Sequence, residues 1–125
     1  MAKDAVKVDP GHYKVEVNNR RVRAVRVRYG PREKSVMHGH PATVGVFLTD
    51  AHFRFTYPNG KSEEITAKAG DVMWFARHEH LPENLGDNPF EAVIVELKAG
   101  ASTRRAAKAK AARVRAARTR RARRR

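Results

Sequence analysis

Cysteine is absent from this sequence of 125 residues, and tryptophan occurs only once. The absence of cysteine excludes disulfide bonds, thiolate metal ligands and cysteine nucleophiles, so the apolar core alone must stabilise any folded domain. The longest apolar runs are about five residues, far below the roughly 20 that a membrane-spanning helix needs. The first ten residues carry charges without an apolar segment, which is not the pattern of a secretory signal. We therefore expect a soluble cytoplasmic protein without a membrane span.

Positive charge is abundant but unevenly placed. The formal net charge of +14 comes from 27 lysines and arginines against 13 acidic residues. Residues 101–125 hold 12 of these cations and no acid, which leaves residues 1–100 nearly neutral. We divide the chain into an N-terminal segment (1–11), one folded domain (12–99) and a basic tail (100–125). The tail has no apolar stripe and its arginines repel each other, so we expect it to be disordered or to form a helix on a polyanion.

Short apolar or alternating stretches recur about every ten residues along the domain, with no helical period between them. The alternation in Val22–Tyr29 slips in phase near Ala24, which predicts a bulge in that strand. Pro58-Asn59-Gly60 is a strong hairpin signal, whereas the segment 82–89, rich in Pro, Asn, Gly and Asp, predicts a loop. About seven or eight short strands predict an all-β, antiparallel sandwich or barrel.

Two histidine pairs are the most informative residues for chemistry. They are His38-Gly39-His40 and His78-Glu79-His80. Residues i and i+2 of a strand point to the same face, so each pair can aim two imidazoles at one point inside a barrel. Neutral imidazole is a common metal ligand. The pairs predict a metal site, with two ordinary surface or core pairs as the alternative.

The stretch from Pro31 to Leu97 resembles a cupin domain. The first cupin motif has His-x-His followed by Glu, and His38 and His40 match its histidines. The second motif begins with Gly, matched by Gly70. The resemblance implies a cupin-type antiparallel β-barrel, or jelly roll, and one divalent metal ion: Fe, Mn, Zn or Ni.

The second motif ends with a His and, after three further residues, an Asn. His80 and Asn84 match these two positions. The resemblance thus implies His38, His40 and His80 as the metal ligands. Some similar small single-domain bacterial cupins carry a label of β-alanine degradation, which is a lead to the substrate.

The sequence departs from the cupin pattern at the carboxylate ligand. The Glu of the first motif would fall at position 44 or 45, where this chain has Val44 and Gly45. Three neutral imidazoles leave a divalent ion its full charge and open coordination positions. We therefore expect an anionic ligand, such as a substrate carboxylate, in the space that Gly45 leaves.

Three further residues are candidates for the site, each with an alternative. His78 is a fourth ligand, a partner that supports a ligand, or a loop residue facing solvent. Glu33 is a substitute carboxylate ligand or a surface residue. Asn84 bonds its own backbone in a turn or lines the pocket. Glu79 cannot share the inward face with its neighbours and is assigned to the surface.

The remaining patterns indicate structure rather than chemistry. Phe53 and Phe55 alternate and predict a core face, and Trp74 is assigned to the core with them. The row of Arg23, Arg26 and Arg28 predicts a solvated strand face.

Two functions fit these observations. The first is a metalloenzyme acting on a small anionic substrate, as a dioxygenase, isomerase or decarboxylase, with no catalytic acid or base identified. The second is a non-catalytic module for a small ligand or a metal, which the tail tethers to nucleic acid or another polyanion without reading bases. Open edge strands also predict a homodimer, formed through the segment before Gly30.

Overall fold

The structure is a computed structural model, and it describes residues 3–98. The basic tail predicted at 100–125 lies outside the described residues. The elements are a short helix α1 (Ala5–Val8) and nine strands: β1 (Tyr13–Asn18), β2 (Val22–Tyr29), β3 (His38–His40), β4 (Thr43–Phe47), β5 (Ala51–Thr56), β6 (Ser62–Ala67), β7 (Val72–Phe75), β8 (His78–Asn84) and β9 (Phe90–Leu97).

The strands form two antiparallel sheets. The five-stranded sheet has the order β1-β2-β9-β4-β7, and the four-stranded sheet has the order β3-β8-β5-β6. The hairpin predicted at Pro58-Asn59-Gly60 joins β5 to β6, and Gly60 takes the positive φ of 84° that its turn requires. The all-β prediction is confirmed. Within residues 3–98, no helix has the length and apolar character to cross a membrane.

The core lies between the two sheets and is largely aromatic. Phe53 packs on Phe47 from the other sheet, with ring centroids 5.7 Å apart, and on Phe90 at 5.6 Å. Phe53 and Phe55 are both buried, as the alternation of β5 predicts. Full burial of one such ring stabilises the fold by about 1.5–3 kcal/mol.

The N-terminal segment packs on the same core. Asp4 caps α1 by accepting a hydrogen bond from the backbone N–H of Val6, and Ala5 is 1% exposed. The backbone N–H of Gly39 in β3 donates to the carbonyl of Lys3 at 2.8 Å. The segment is thereby attached to the strand that carries the first histidine pair.

The bulge lies in β1 and not in β2, which corrects the prediction at Ala24. The pairing of β1 with β2 shifts between Val15 and Val17, so Glu16 is the extra residue. By contrast, β2 pairs with β9 without interruption. An edge strand accommodates an extra residue more easily, because only one ladder is disturbed.

Residues 82–84 belong to β8, so the predicted loop begins later than expected. Pro82 favours a loop because proline has no N–H to donate to a strand ladder. It lies beyond the regular pairing of β3 with β8, where the backbone N–H of Ser35 donates to the Pro82 carbonyl at 2.9 Å. Proline is tolerated there because no regular ladder requires its missing donor.

Trp74 is 59% exposed, which corrects its assignment to the core. Met73 and Phe75, its neighbours in β7, pack against the core. Side chains alternate along a strand, so Trp74 points away from the core. Because Met73, Trp74 and Phe75 are all large and apolar, the sequence did not indicate which of them face the core.

Candidate metal centre

Antiparallel pairing of β3 with β8 brings the two histidine pairs together. His38 lies opposite His80, and His40 lies opposite His78. His38, His40 and His80 are 1%, 6% and 4% exposed. One ring nitrogen from each lies within 4.8 Å of the other two. The structure thus gathers the three histidines that the cupin resemblance identifies.

Hydrogen bonds determine which nitrogen of His80 carries a proton. The Nδ1 of His78 lies 2.6 Å from the carbonyl oxygen of Ala76, so it must donate. The Nε2 of neutral His78 is then an acceptor, and it lies 2.8 Å from the Nδ1 of His80. His80 therefore donates from Nδ1 and keeps a lone pair on Nε2. This contact with His80 agrees with the second role predicted for His78, that of a partner supporting a ligand.

The same reasoning applies to His38, whose Nδ1 lies 2.8 Å from the carbonyl oxygen of Val36. Its Nε2 also keeps a lone pair, and it lies 3.1 Å from the Nε2 of His80. Burial lowers the pKa of His38 to about 4, and burial lowers the pKa of His80 as well. Two unprotonated nitrogens thus face each other at 3.1 Å, an unfavourable arrangement that a bound cation between them relieves. The residues present fit a metal ion.

The third histidine is held by a carboxylate on β9. His40 donates from Nδ1 to Glu96 Oε2 at 2.8 Å, and Arg23 Nε donates to Glu96 Oε1 at 2.7 Å. Arg23 also donates to both carboxylate oxygens of Asp4, at 2.9 and 2.7 Å. All three histidines are thus anchored through Nδ1, which leaves Nε2 for a ligand role.

Glu96 and the inward position of Arg23 were missed in the sequence. Arg23 shares the phase of Val25 and Val27 and does not belong to a solvated row, whereas Arg26 lies on the opposite face and pairs with Glu16. Glu96 follows Phe90, Ala92 and Ile94 at intervals of two, an acid in the buried phase of its strand. The position of Glu96 in this alternation could have identified it from the sequence, but only if the buried face of β9 had been known.

Burial raises the pKa of the Glu96 carboxyl, but the hydrogen bonds from His40 and Arg23 outweigh burial and bring the pKa below its ordinary value. Glu96 is therefore ionised at neutral pH. Arg23 pairs with both Glu96 and Asp4, and neither carboxylate is a member of the triad.

Glu33 lies apart from the triad. Its Oε1 accepts a hydrogen bond from the backbone N–H of Gly30 and lies 3.5 Å from the Nε2 of His12. Its side chain is about half exposed. The structure therefore gives Glu33 the surface role that was the alternative to ligation.

Asn84 is buried and bonds backbone groups around the β8–β9 loop. Its Nδ2 donates to the carbonyls of Gly30 and Asn88 at 2.9 Å each, and its Oδ1 accepts from the N–H of Gly86 at 2.9 Å. These bonds agree with the predicted turn role, and Asn84 does not line the cavity beside the triad.

The space beside Gly45 is already occupied, which corrects the expectation of room for a ligand there. A Cβ atom at Gly45 would lie 3.1 Å from Cε2 of Phe75. The ring of Phe75 thus takes the place that a glutamate side chain would need.

An inner cavity adjoins the triad. His40, His78 and His80 line one side of it, and most of the remaining lining is apolar and aromatic. Its free volume is about 60 Å³. A ligand on the open positions of a bound ion would extend into this space.

Neither a protein-family model nor a curated protein matches the sequence, but solved structures do. The chain is similar to a cupin domain from Bordetella pertussis Tohama I, with 27% identity, a TM-score of 0.65, and coverage of 70% of this chain and 92% of that one. A cupin superfamily protein from Desulfitobacterium hafniense DCB-2 has 15% identity, a TM-score of 0.54, and coverage of 70% and 76%. An RmlC-like cupin family protein from Methanocaldococcus jannaschii, with a double-stranded β-helix fold, has 17% identity, a TM-score of 0.54, and coverage of 71% and 83%.

The similarity to these structures covers the two-sheet body of this chain. The histidine pair of β3, its partner pair on β8 and the strand order all agree with the cupin resemblance of the sequence. The chain therefore has the double-stranded β-helix fold of cupin domains.

Proposed function

We propose that this cupin binds one divalent metal ion through the Nε2 atoms of His38, His40 and His80 and acts as a metalloenzyme on a small carboxylate. The observation that carries the proposal is the pair of facing lone pairs, 3.1 Å apart, on His38 and His80. An imidazole donor set suits Fe, Zn or Ni, and Mn is the fourth candidate. When bound, the ion supplies Lewis acidity and open coordination positions.

The protein's own groups make an anionic ligand favourable. No carboxylate belongs to the triad, and Glu96 contacts it only through the Nδ1 of His40. The ion therefore retains its charge toward the cavity, and a substrate carboxylate satisfies it. Both ring nitrogens of His78 are engaged, and Glu96, the carboxylate in contact with the triad, is engaged by His40 and Arg23. The proposal accordingly does not choose between dioxygenase, isomerase and decarboxylase chemistry.

The proposal is tested by the metal content of protein purified without a chelator. We expect about one equivalent of a transition metal per chain, and a higher thermal unfolding midpoint with metal than after chelation. A content below about one tenth of an equivalent, with no recovery on adding Fe, Mn, Zn or Ni, would contradict the metal site.

The second candidate function keeps the same site without turnover. In it the domain holds a small ligand or a metal, and the basic tail, which lies outside the described residues, binds a polyanion. The composition of residues 101–125 favours it, with 12 cations and no acid. Oxygen uptake or product formation by the metal-loaded protein with small carboxylates distinguishes the enzyme from the module. The cytoplasmic location and the β-alanine lead stay predictions.

We also propose that a second copy of the chain packs on the outer face of the five-stranded sheet. One row of direct cross-strand partners crosses all five strands and contains no charged residue. Its members are Val17, Ala24, Val95, Val44 and Trp74. A second row adds Val93, Val46 and Val72, and a third adds Val22 and Leu97. We call these ten residues the outer apolar face.

A second copy is the occupant that fits this face. Residues 99–125 contain 12 Arg and Lys and a single valine as their only large apolar residue, so they would bring charge onto an apolar surface. An identical apolar face is self-complementary about a twofold axis. Ten strand positions cover about 300–400 Å², less than the roughly 800 Å² per partner of a standard interface. We therefore expect a weak dimer, with a dissociation constant in the micromolar range.

Replacing Trp74 with lysine should keep the protein monomeric from about 1 to about 100 µM in sedimentation analysis, whereas the unmodified chain dimerises over this range. Because Trp74 is the only tryptophan, its fluorescence emission should also shift to shorter wavelength as the unmodified dimer forms. Val36→Lys is the matched control, since Val36 is 49% exposed but lies outside the outer apolar face. Equal association of the Trp74→Lys variant and the unmodified protein would exclude this interface.

A further inference from the structure

We infer that the substrate's part beyond its carboxylate is a short, uncharged hydrocarbon chain, and that Phe75 limits the length of this chain. The inference rests on the proposed function and specifies the substrate class of the same site. It is carried by the lining and size of the inner cavity.

Aromatic rings form much of the cavity wall. Five phenylalanines line it: Phe47, Phe53, Phe55, Phe75 and Phe90. Phe55 lies closest to the triad, with its ring centroid 4.1 Å from that of His80. No Lys, Arg, Asp or Glu is among the described residues that line the cavity. A charged substituent on the ligand would therefore be desolvated there without a partner, at a large cost.

The polar side chains of the cavity wall are already engaged. The hydroxyls of Tyr13 and Tyr29 bond each other at 2.6 Å. The hydroxyl of Thr43 donates to the carbonyl of Pro41 at 2.7 Å. The hydroxyls of the described wall residues thus already bond each other or the backbone, and the wall offers an ammonium no charged partner.

The free volume sets the length of the chain. A cavity needs about 10–15 Å³ of such volume for each water-sized group. The observed volume of about 60 Å³ therefore holds roughly four to six groups of this size. A carboxylate on the ion with a chain of about three carbon atoms, as in butyrate, fits this space.

Phe75 forms the end of the cavity toward the surface. Its ring lines the inner cavity and also an outer groove, which Met73, Trp74 and Ile65 line as well. Its Cε2 is the atom nearest to a Cβ at Gly45, at 3.1 Å, so it lies deep beside β4. Removing the ring would join the cavity to the groove and make room for a longer chain.

The test uses the full chain loaded with Co²⁺, whose absorption spectrum reports ligands on the ion. Butyrate and β-alanine are compared because they differ only by a methyl group in place of an ammonium. We expect butyrate to bind at least about tenfold more tightly than β-alanine. Hexanoate should bind more weakly than butyrate to the unmodified protein.

In the Phe75→Ala variant, the affinity for hexanoate should rise about tenfold relative to the affinity for butyrate. Phe75→Leu should give a smaller rise in the same ratio. Met73→Ala is the matched control. Met73 is in the same strand and also packs against the core, but it does not line the cavity. Circular dichroism of each variant verifies the fold, and Phe75→Leu keeps the test decisive if Phe75→Ala does not fold.

The outcomes separate this inference from the proposed function. Failure to bind Co²⁺ overturns the metal site itself. If Co²⁺ binds stoichiometrically but β-alanine binds as tightly as butyrate, or neither carboxylate binds, the preference for a hydrocarbon chain is refuted. The metal site is then unaffected. An unchanged preference in both Phe75 variants, or the same change in Met73→Ala, overturns the role of Phe75.

Discussion

Replacing His80 with alanine should lower the affinity for the metal ion by at least about 100-fold. His80 is the member of the triad that faces His38 at 3.1 Å, and it also lies in the cavity wall. Without its Nε2, the remaining two imidazoles cannot close the site. Equilibrium dialysis followed by elemental analysis measures the effect. The unfolding midpoint of the variant should no longer rise when metal is added.

His52→Ala is the matched control for this result. His52 is exposed, bonds Glu64 and lies apart from the triad. The control should keep about one equivalent of metal, which excludes adventitious binding by surface histidine. His78→Ala is an intermediate case, because it removes only the acceptor for the Nδ1 of His80, and we expect a loss of about 10–100-fold. Full metal content in the His80→Ala variant would refute the triad as the ligand set.

Replacing Glu96 with glutamine should destabilise the metal-free protein by about 3 kcal/mol. Glu96 accepts from both His40 and Arg23, and its side chain is 3% exposed. Glutamine turns one of its two acceptor atoms into a donor, so that a donor then faces either His40 or Arg23. Urea unfolding at neutral pH measures the loss, and metal affinity should fall by about 10–100-fold because a neutral amide holds the Nδ1 of His40 less strongly than the carboxylate does.

Glu91→Gln is the matched control in the same strand. Glu91 is 35% exposed and lies 3.4 Å from Arg26, so its replacement should change stability by less than about 0.5 kcal/mol. Equal losses in the two variants would show that Glu96 has no special role.

The difference in unfolding free energy between the wild type and the Glu96→Gln variant should also depend on pH. Because the folded state lowers the pKa of Glu96, its stabilisation is fully present above the unfolded pKa of about 4.3. It is lost as the pH falls through the folded value. The two unfolding free energies should therefore converge in acid.

Much of the fold was predictable because local signals and tertiary packing agree. The alternation of Phe53 and Phe55, the turn at Pro58-Asn59-Gly60 and the phase of Val25 and Val27 each indicate a strand or its buried face without knowledge of the partner strand. Two local signals were overridden by position in the sheets. Pro82 lies where no regular ladder needs its donor, and the inward positions of β7 belong to the neighbours of Trp74.

The sequence by itself determined the donors and their spacing. Strand periodicity places the members of each His-x-His pair on one face, and the cupin resemblance selects His38, His40 and His80 as the expected ligands. Only the tertiary structure decided the protons on those rings, because they depend on Ala76, Val36 and Glu96. It also decided that Phe75 fills the space beside Gly45. Strand register and hydrogen bonding between distant residues set these features, and no local pattern encodes them.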